Sequence, residues 1–123
     1  MKIVFIADVF ADEVPGGGEL VNQEVINLLR ADGHTVTQIK SQDVNSDFVI
    51  QENSQGSKFI LGNFLALKPG AVSALITSEY IIYEHDHKYL ATRDPSKFKD
   101  YVAPKSQVVN EFFYNHAKAV LCQ

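Results

Sequence analysis

Short unbroken runs of apolar residues alternate along the chain with stretches in which apolar residues have helical spacing. Residues 2–7 contain the unbroken apolar run Ile3-Val4-Phe5-Ile6, which is typical of a strand buried on both faces. Helical spacing follows, and it places Val21, Val25, Leu28 and Leu29 on one apolar face. Gly33 comes next, at the position of a C-terminal glycine cap. The beginning of the chain therefore predicts a strand and a helix, followed by a second strand near residues 34–39.

The same alternation continues to the end of the chain. Further strands are predicted near residues 47–51, 79–84 and 118–122. Helices are predicted at residues 57–67, 71–76 and 106–117. Gly62 is a weak position in the first of these helices, and Ser106 is the expected N-cap of the last. Residues 88–105, which contain Pro95 and Pro104, are predicted to form a loop.

Strands that alternate with helices predict an α/β fold. We expect a single Rossmann-like domain over residues 1–123, with a parallel sheet and helices on both faces. The last predicted strand is followed by Gln123. Because a doubly wound domain usually covers its last strand with another helix, we expect a truncated domain that is the front part of something longer.

Composition narrows the class of protein. With 123 residues, of which 46% are hydrophobic, the chain suits one domain with a buried core. The net charge is −4 and the Lys and Arg residues do not cluster, so we expect no nucleic acid as a partner. Asp8 ends the first apolar run before it is long enough for a signal peptide or a membrane span. We therefore expect a soluble cytoplasmic protein without an integral membrane segment.

Cysteine and tyrosine usage points to packing rather than to chemistry. Cys122 is the single cysteine, so an internal disulfide is excluded and a reducing compartment is expected. Because Cys122 lies in a predicted buried strand, we expect an inert core residue. Tyr83, Tyr89 and Tyr114 are likewise expected to pack in the interior.

Three consecutive glycines, residues 16–18, separate the first strand from the first helix. Glycines let a backbone approach a ligand closely, and the first amides of a helix lack intrahelical partners, so the segment suits a phosphate. The alternative is a turn that only reverses the chain. A Walker loop is excluded because Glu19 and Leu20 follow the glycines, and a dinucleotide fingerprint is excluded because Val21 replaces its third glycine.

The segment His85-Asp86-His87 follows the fourth predicted strand. In an extended backbone His85 and His87 point to the same side, with Asp86 opposite. A metal pair is one interpretation, but a zinc site needs three or four ligands, and His34 and His116 are the remaining histidines. A solvated loop is the second interpretation. In the third, His85 contacts a sugar hydroxyl or a phosphate at the carboxyl end of the sheet, where ligands of open α/β sheets bind.

Taken together, these motifs resemble a known enzyme family. The segment Gly16-Gly17-Gly18-Glu19, followed by Leu28-Leu29 and Gly33-His34-Thr35-Val36, is similar to the start of the GT-B glycosyltransferases of the family 4 type. That family begins with a short apolar strand, then Gly-Gly-x-Glu, then a helix that ends in Gly-His-x-Val. The segment from 80 to 93 also resembles the fourth-strand region of a subset of these enzymes, so the similarity covers essentially the whole chain.

The resemblance implies the N-terminal, acceptor-side domain of an enzyme whose two Rossmann-like domains face a cleft, with the C-terminal, donor-binding domain absent here. It implies that Gly16, Gly17 and Gly18 contact the donor diphosphate and that His85, the catalytic candidate, reaches the donor sugar. Because both segments lie just past strand ends on the same edge of the sheet, we expect His85 to lie within reach of Gly16–Gly18. The substrate-binding candidates are Glu19, Asp86 and His87. The implied partners are a nucleotide-sugar, which is a substrate and not a cofactor, a sugar or glycan acceptor, and the missing domain or a partner chain. No metal is expected, since the leaving diphosphate is stabilised electrostatically.

On this interpretation the chain alone is inactive, because the basic residues that stabilise the leaving diphosphate belong to the absent domain. Its uncovered surfaces should favour self-association into a homo-oligomer. A second hypothesis is a non-catalytic Rossmann-like module that binds a ligand or another protein. A third is a flavodoxin-like or receiver-like domain, although a receiver would need an acidic pair after the first strand, and Asp8 and Asp12 are too far apart for that.

Overall fold

A computed structural model describes residues 1–85 and 87–122 of the chain. Within these residues, five strands form one parallel sheet in the order β2-β1-β3-β4-β5. The strands are β1 (Lys2–Ala7), β2 (Thr35–Lys40), β3 (Lys58–Leu61), β4 (Tyr80–Glu84) and β5 (Ala119–Cys122). This arrangement confirms the predicted α/β fold class. The order is that of flavodoxin-like doubly wound sheets, in which the chain reverses direction between β1 and β3.

Helices cover both faces of the sheet. The helices are α1 (Gly17–Ala31), α2 (Ser46–Ser54), α3 (Pro69–Ile76) and α4 (Glu111–His116). On one face, α1 packs Ile26 against the side chains of Ile3 and Phe5 from β1. On the opposite face, residues of α2, α3 and α4 share a core with Val4, Ile6 and Ile82. Short 3-10 turns connect some of these elements, at Ser41–Asp43, Pro95–Lys97, Lys99–Tyr101 and Lys105–Gln107.

Helix α1 ends at the predicted glycine cap. Gly33 has a φ of +93°, a conformation that glycine adopts without strain. The Gly33 N–H donates to the Arg30 carbonyl and the His34 N–H donates to the Leu29 carbonyl, each at 3.1 Å. This pair of bonds is a Schellman motif, which satisfies two carbonyls at the end of the helix.

Two neighbouring predictions in the middle of the chain were wrong. Residues 47–51 are part of α2, and residues 57–67 contain β3 instead of a helix. The start of α2 is set by Asn45, whose Oδ1 accepts a hydrogen bond of 2.8 Å from the Phe48 N–H. Its end is set by Gly56, with a φ of +78° and a second pair of Schellman bonds. These caps outweigh the strand preference of the apolar run 48–50, of which Ile50 is 62% exposed.

The C-terminal elements also differ from the expectation. Ser106 lies in the turn Lys105–Gln107 and does not cap α4, which begins after Asn110. Val108 forms an antiparallel bridge with Leu90, and Asn110, immediately before α4, has a left-handed backbone with a φ of +60°. Cys122 does lie in a strand, but it is exposed, so the prediction of a core residue was wrong. The described residues place no helix over this part of β5, where Leu121 is 46% exposed as well.

Candidate functional site

The candidate site lies at the carboxyl edge of the sheet, beside the point where the chain reverses direction. Asp8, Gly62 and His85 directly follow β1, β3 and β4, and parallel strands bring these ends to the same edge. Asp8 ties the neighbouring loops together, because its Oδ1 accepts hydrogen bonds from the Ser41 hydroxyl and from the Ala66 N–H. The loops around this edge are therefore fixed to the sheet by a carboxylate.

The N-terminus of α1 lies at this edge of the sheet. Its N-cap, Gly16, has an extended backbone and offers no side chain to cap the helix. The first intrahelical bond runs from the Leu20 N–H to the Gly16 carbonyl at 2.9 Å, so the N–H groups of residues 17–19 precede it. The Glu19 carboxylate folds back over this end, because a methyl group placed on Gly16 would lie 2.5 Å from Glu19 Oε2. A negative charge thus already lies near the positive end of the helix dipole.

The two other glycines differ in what surrounds them. A methyl group placed on Gly17 would meet no atom of residues 1–85 or 87–122 within 4 Å. A methyl group placed on Gly18 would lie 3.5 Å from Cγ of His85. The structure therefore brings His85 against the glycine segment, as the sequence predicted, and leaves the approach to Gly17 open. The catalytic and phosphate-binding roles of these residues stay predictions.

Asn22 connects α1 to His85. The Oδ1 atom of Asn22 lies 2.7 Å from His85 Nε2, and Asn22 itself is 1% exposed. A methyl group placed on Gly62 would lie 2.6 Å from Asn22 Nδ2, so only a glycine at this strand end leaves room for the amide. The ring of Tyr83 lies against His85 as well, with 4.8 Å between the ring centroids.

Sequence reasoning missed both Asn22 and Gly62. Asn22 stands four residues after Gly18 and four before Ile26, so it shares the buried face of α1, and this spacing was the available signal. Gly62 was assigned to a helix, where it looked like a weak position. At the end of a strand it instead marks a close approach of another element.

A buried ion pair lies directly beside His85 in the chain. Lys88 is 1% exposed, and its Nζ donates to Glu84 Oε1 at 3.1 Å. The Tyr114 hydroxyl donates to the other oxygen of Glu84, and the ring of Phe64 lies 5.4 Å from the Lys88 ammonium. Burial raises the pKa of Glu84, but the hydrogen bond from Tyr114 and the charge of Lys88 outweigh burial and hold this pKa below its usual value.

The remaining predicted residues lie further from the glycines or are not described. His87 is exposed, and its Nδ1 lies 2.8 Å from the hydroxyl of Tyr89. Asp86 lies outside the described residues. His34 pairs with Asp32 at 3.3 Å, and His116 contacts the Phe112 carbonyl within α4. In the part of the chain that the structure describes, no three His, Cys, Asp or Glu side chains are grouped as a metal ion would need.

An acidic groove lies at the carboxyl ends of β1 and β2. It encloses about 520 Å³ and is lined by Phe10, Asp12, Glu13, Gln23, Gln38, Ile39, Lys40 and Asp43. Lys40 pairs with Glu13 at 2.5 Å, and this hydrogen bond raises the pKa of Lys40. Glu13 neutralises Lys40, and the carboxylates of Asp12 and Asp43 remain, so the groove has a net negative charge.

Comparison with family models, with curated proteins and with solved structures found no match. The similarity to a glycosyltransferase family therefore rests on the sequence motifs themselves. Among the described residues, no helix combines the length and the apolar character that crossing a membrane requires.

Proposed function

We propose that this domain forms one wall of the active site of a nucleotide-sugar glycosyltransferase. The donor diphosphate lies at the N-terminus of α1, and the donor sugar lies against His85. The observation that carries this proposal is the position of His85 beside Gly18, where an added methyl group would lie 3.5 Å from His85 Cγ, which brings an imidazole to the edge of a glycine-rich helix start. A sugar linked to a diphosphate at the amides of residues 17–19 would meet that imidazole next.

The first turn of α1 supports an anion as the ligand. Its leading N–H groups precede the first intrahelical bond, and the helix dipole adds about half a positive charge at this end. Gly17 leaves the approach to these amides open. Backbone amides at a helix start bind phosphate groups in many unrelated proteins.

The charges around the helix start limit how tightly this wall alone can bind a diphosphate. Asp12 and Glu19 lie in or beside the glycine segment, Lys40 is paired with Glu13, and the buried Lys88 is paired with Glu84. The dipole of one helix cannot offset a diphosphate and these carboxylates together. We therefore propose that the cations that stabilise the leaving diphosphate come from a second domain or a partner chain, and that this chain alone transfers no sugar.

The acidic groove is the proposed place of the acceptor. Carboxylates and side-chain amides accept and donate hydrogen bonds to hydroxyl groups, and a net negative charge disfavours a phosphorylated acceptor. A neutral sugar or glycan satisfies both conditions.

A second candidate is a non-catalytic module that binds a phosphate ligand, and the strand order favours it. In flavodoxin-like sheets, which share the order seen here, a phosphate-bearing ligand binds at the switch between β1 and β3. This candidate predicts full affinity for its ligand without a second protein surface.

Titration of the isotope-labelled chain with uridine and adenosine diphosphates tests the proposal. The amide resonances of Gly17 and Gly18 should shift at millimolar ligand, and a Gly17→Glu variant should show no such shift, because its carboxylate repels the anion. A panel of nucleotide-sugars should release no nucleoside diphosphate with either variant. If the glycine amides of the unaltered chain do not respond at high ligand concentration, the proposed donor site is wrong. Release above the level of Gly17→Glu would show that the chain is complete as an enzyme.

A further inference from the structure

We propose that a small pocket at the carboxyl edge of the sheet binds an uncharged small molecule whose aromatic ring carries a hydroxyl group, as in a phenol. The pocket encloses about 150 Å³ and lies between the loop after β3, the start of α3 and the start of α4. Its lining residues are Phe64, Leu65, Leu67, Val72, Asn110 and Phe113. Because neither the glycine segment nor His85 lines this pocket, the inference is independent of the proposed function.

Two phenylalanine rings form the most buried part of the lining. Phe64 and Phe113 are 6% and 5% exposed, and their ring centroids lie 5.0 Å apart at an interplanar angle of 59°. Phe113 also stacks on Tyr80, with 4.8 Å between the ring centroids. This packing holds both rings in place. An aromatic ligand suits such a lining, because aromatic rings attract one another in tilted and offset arrangements.

A tight turn in the loop after β3 forms another part of the lining. The Leu67 N–H donates to the Phe64 carbonyl, and the Ala66 N–H donates to Asp8 Oδ1, each at 3.2 Å. These bonds hold the turn and leave Leu65 48% exposed. The pocket is therefore formed before a ligand binds, as most small-molecule sites are. A ligand would cover apolar surface that now contacts water, which favours binding.

The charge of the lining favours an uncharged ligand. Five of the six described residues that line the pocket are apolar, and the sixth is Asn110. The ammonium of Lys88 lies 5.4 Å from the centroid of the Phe64 ring, but the Lys88 side chain is fully buried, is paired with Glu84 and does not line the pocket. A charged ligand group would lose its hydration here without gaining a partner of opposite charge.

The volume of the pocket suits a single ring. An engineered cavity of about 150 Å³, lined by leucine, isoleucine and phenylalanine in another protein, binds benzene. Pockets for drug-sized ligands enclose about 300–1,000 Å³, so this pocket is too small for a fused ring system or a disaccharide.

Asn110 supplies the polar group that selects a hydroxyl. It is the N-cap of α4, but its side chain makes no capping hydrogen bond. Instead, Nδ2 of Asn110 donates to the Lys88 carbonyl at 2.7 Å. A carbonyl oxygen only accepts hydrogen bonds, so this contact directs Nδ2 to Lys88 and leaves Oδ1 as the acceptor that Asn110 offers to the pocket. A hydroxyl donates to such an oxygen, whereas a methyl group or an ether oxygen does not.

An NMR titration of the isotope-labelled chain with phenol locates the site. We expect the methyl resonances of Leu65, Leu67 and Val72 to shift at millimolar phenol, and we expect NOEs between these methyl groups and the ring protons of phenol. Val120 and Leu121 are exposed apolar residues of β5, and their methyl resonances serve as internal controls that should not shift. The absence of NOEs at the pocket, or equal shifts at β5, overturns the proposal, because phenol would then only adsorb to apolar surface.

Two variants test the pocket and the hydrogen bond separately. Val72→Phe places a phenyl group in the pocket and should abolish binding, whereas Ile50→Phe, at a 62% exposed position of α2, is the matched control and should bind phenol as the unaltered chain does. Asn110→Gly removes the acceptor and fits the φ of +60° at this position, which glycine adopts without strain. In Asn110→Gly the ratio of phenol affinity to toluene affinity should fall by about 2-fold to 10-fold, as expected for one hydrogen bond.

The results separate the pocket, the hydroxyl and the source of the ring. Phenol binding that persists in Val72→Phe overturns the pocket, and an unchanged ratio in Asn110→Gly overturns the selection of a hydroxyl. If a variant fails to fold, the unaltered chain still decides, through its NOEs and through anisole, whose methylated oxygen cannot donate. Anisole should bind more weakly than phenol, and equal or tighter binding refutes the role of Asn110. N-acetyltyrosinamide should bind no more tightly than phenol, since tighter binding would indicate a tyrosine of a partner protein and overturn the assignment to a small molecule.

Discussion

Replacing Gly17 with alanine distinguishes a glycine that serves ligand access from one that the fold requires. Gly17 is the first residue of α1 and is not among the glycines with positive φ. A methyl group there would meet no described atom within 4 Å. The folded chain therefore has room for alanine, and we expect Gly17→Ala to be more stable by about 0.4–1 kcal/mol, because alanine lowers the entropy of the unfolded chain.

The same methyl group should weaken binding of an anion at the helix start. Side chains of an α-helix tilt toward its N-terminus, so the added methyl group projects toward the ligand position. An extra methyl group in a close contact costs about 1–3 kcal/mol. This range corresponds to affinity lower by about 5-fold to 150-fold, at about 1.4 kcal/mol for each factor of ten.

Urea denaturation and a pyrophosphate titration measure the two effects on the same protein. Gly70→Ala is the matched control, since Gly70 is the second residue of α3 and a methyl group there also meets no described atom within 4 Å. The control should gain stability and bind pyrophosphate as the unaltered chain does. Unchanged affinity of Gly17→Ala would refute the reasoning about ligand access, and unfolding of this variant would show that Gly17 serves the fold.

Further predictions concern the residues around His85. Gly62→Ala should destabilise the fold by about 1–3 kcal/mol, and in the Asn22→Ala background most of this loss should disappear, as a double-mutant cycle of urea unfolding would reveal. Lys88→Met should cost about 3–5 kcal/mol in the same assay because it leaves the Glu84 carboxylate buried without its cation, whereas Lys118→Met, at an exposed position, should change stability by less than about 0.5 kcal/mol; equal effects would contradict the buried pair. Folding lowers the pKa of Glu84, so its contribution to stability is complete at neutral pH and is lost as acid protonates the carboxylate. Between pH 7 and about pH 3, Glu84→Gln should therefore lose less of its stability than the unaltered chain, and parallel pH profiles would refute this assignment.

The sequence predicted the sheet where local signals agreed with one another. β1 and β4 are unbroken apolar runs, and α1 has both an apolar face and a glycine after its last turn. In the middle of the chain the signals conflicted, because three apolar residues in a row fit a strand and a helix equally well. Asn45 and Gly56 resolved that conflict in favour of α2, so the residues that end an element were more informative here than those inside it.

Of the candidate site, the sequence predicted only which residues meet at the carboxyl edge of the sheet, because the ends of the strands determine this. Gly18 and His85 were expected to meet because both follow parallel strands at one edge of a sheet, and this expectation needed no side-chain detail. Asn22 and Gly62 could not be paired in advance, because their contact depends on how α1 is rotated over the sheet. The burial of Lys88 was missed for a different reason. Lysine is almost never fully buried unless it is paired, so a lysine in a polar segment is expected at the surface.

The position of Lys88 links the stability of the fold to the chemistry of the proposed site. This cation stands three residues after His85, but its ammonium is buried and directed to Glu84, away from solvent. Its attraction to a ligand at the helix start is therefore largely offset by the Glu84 carboxylate, since a close ion pair acts on distant charges mainly as a dipole. Binding of a diphosphate to this wall then depends on backbone amides, whose number is fixed by one turn of helix. A surface that brings its own arginines or lysines to the first turn of α1 would therefore raise the affinity for a diphosphate through charge-assisted hydrogen bonds.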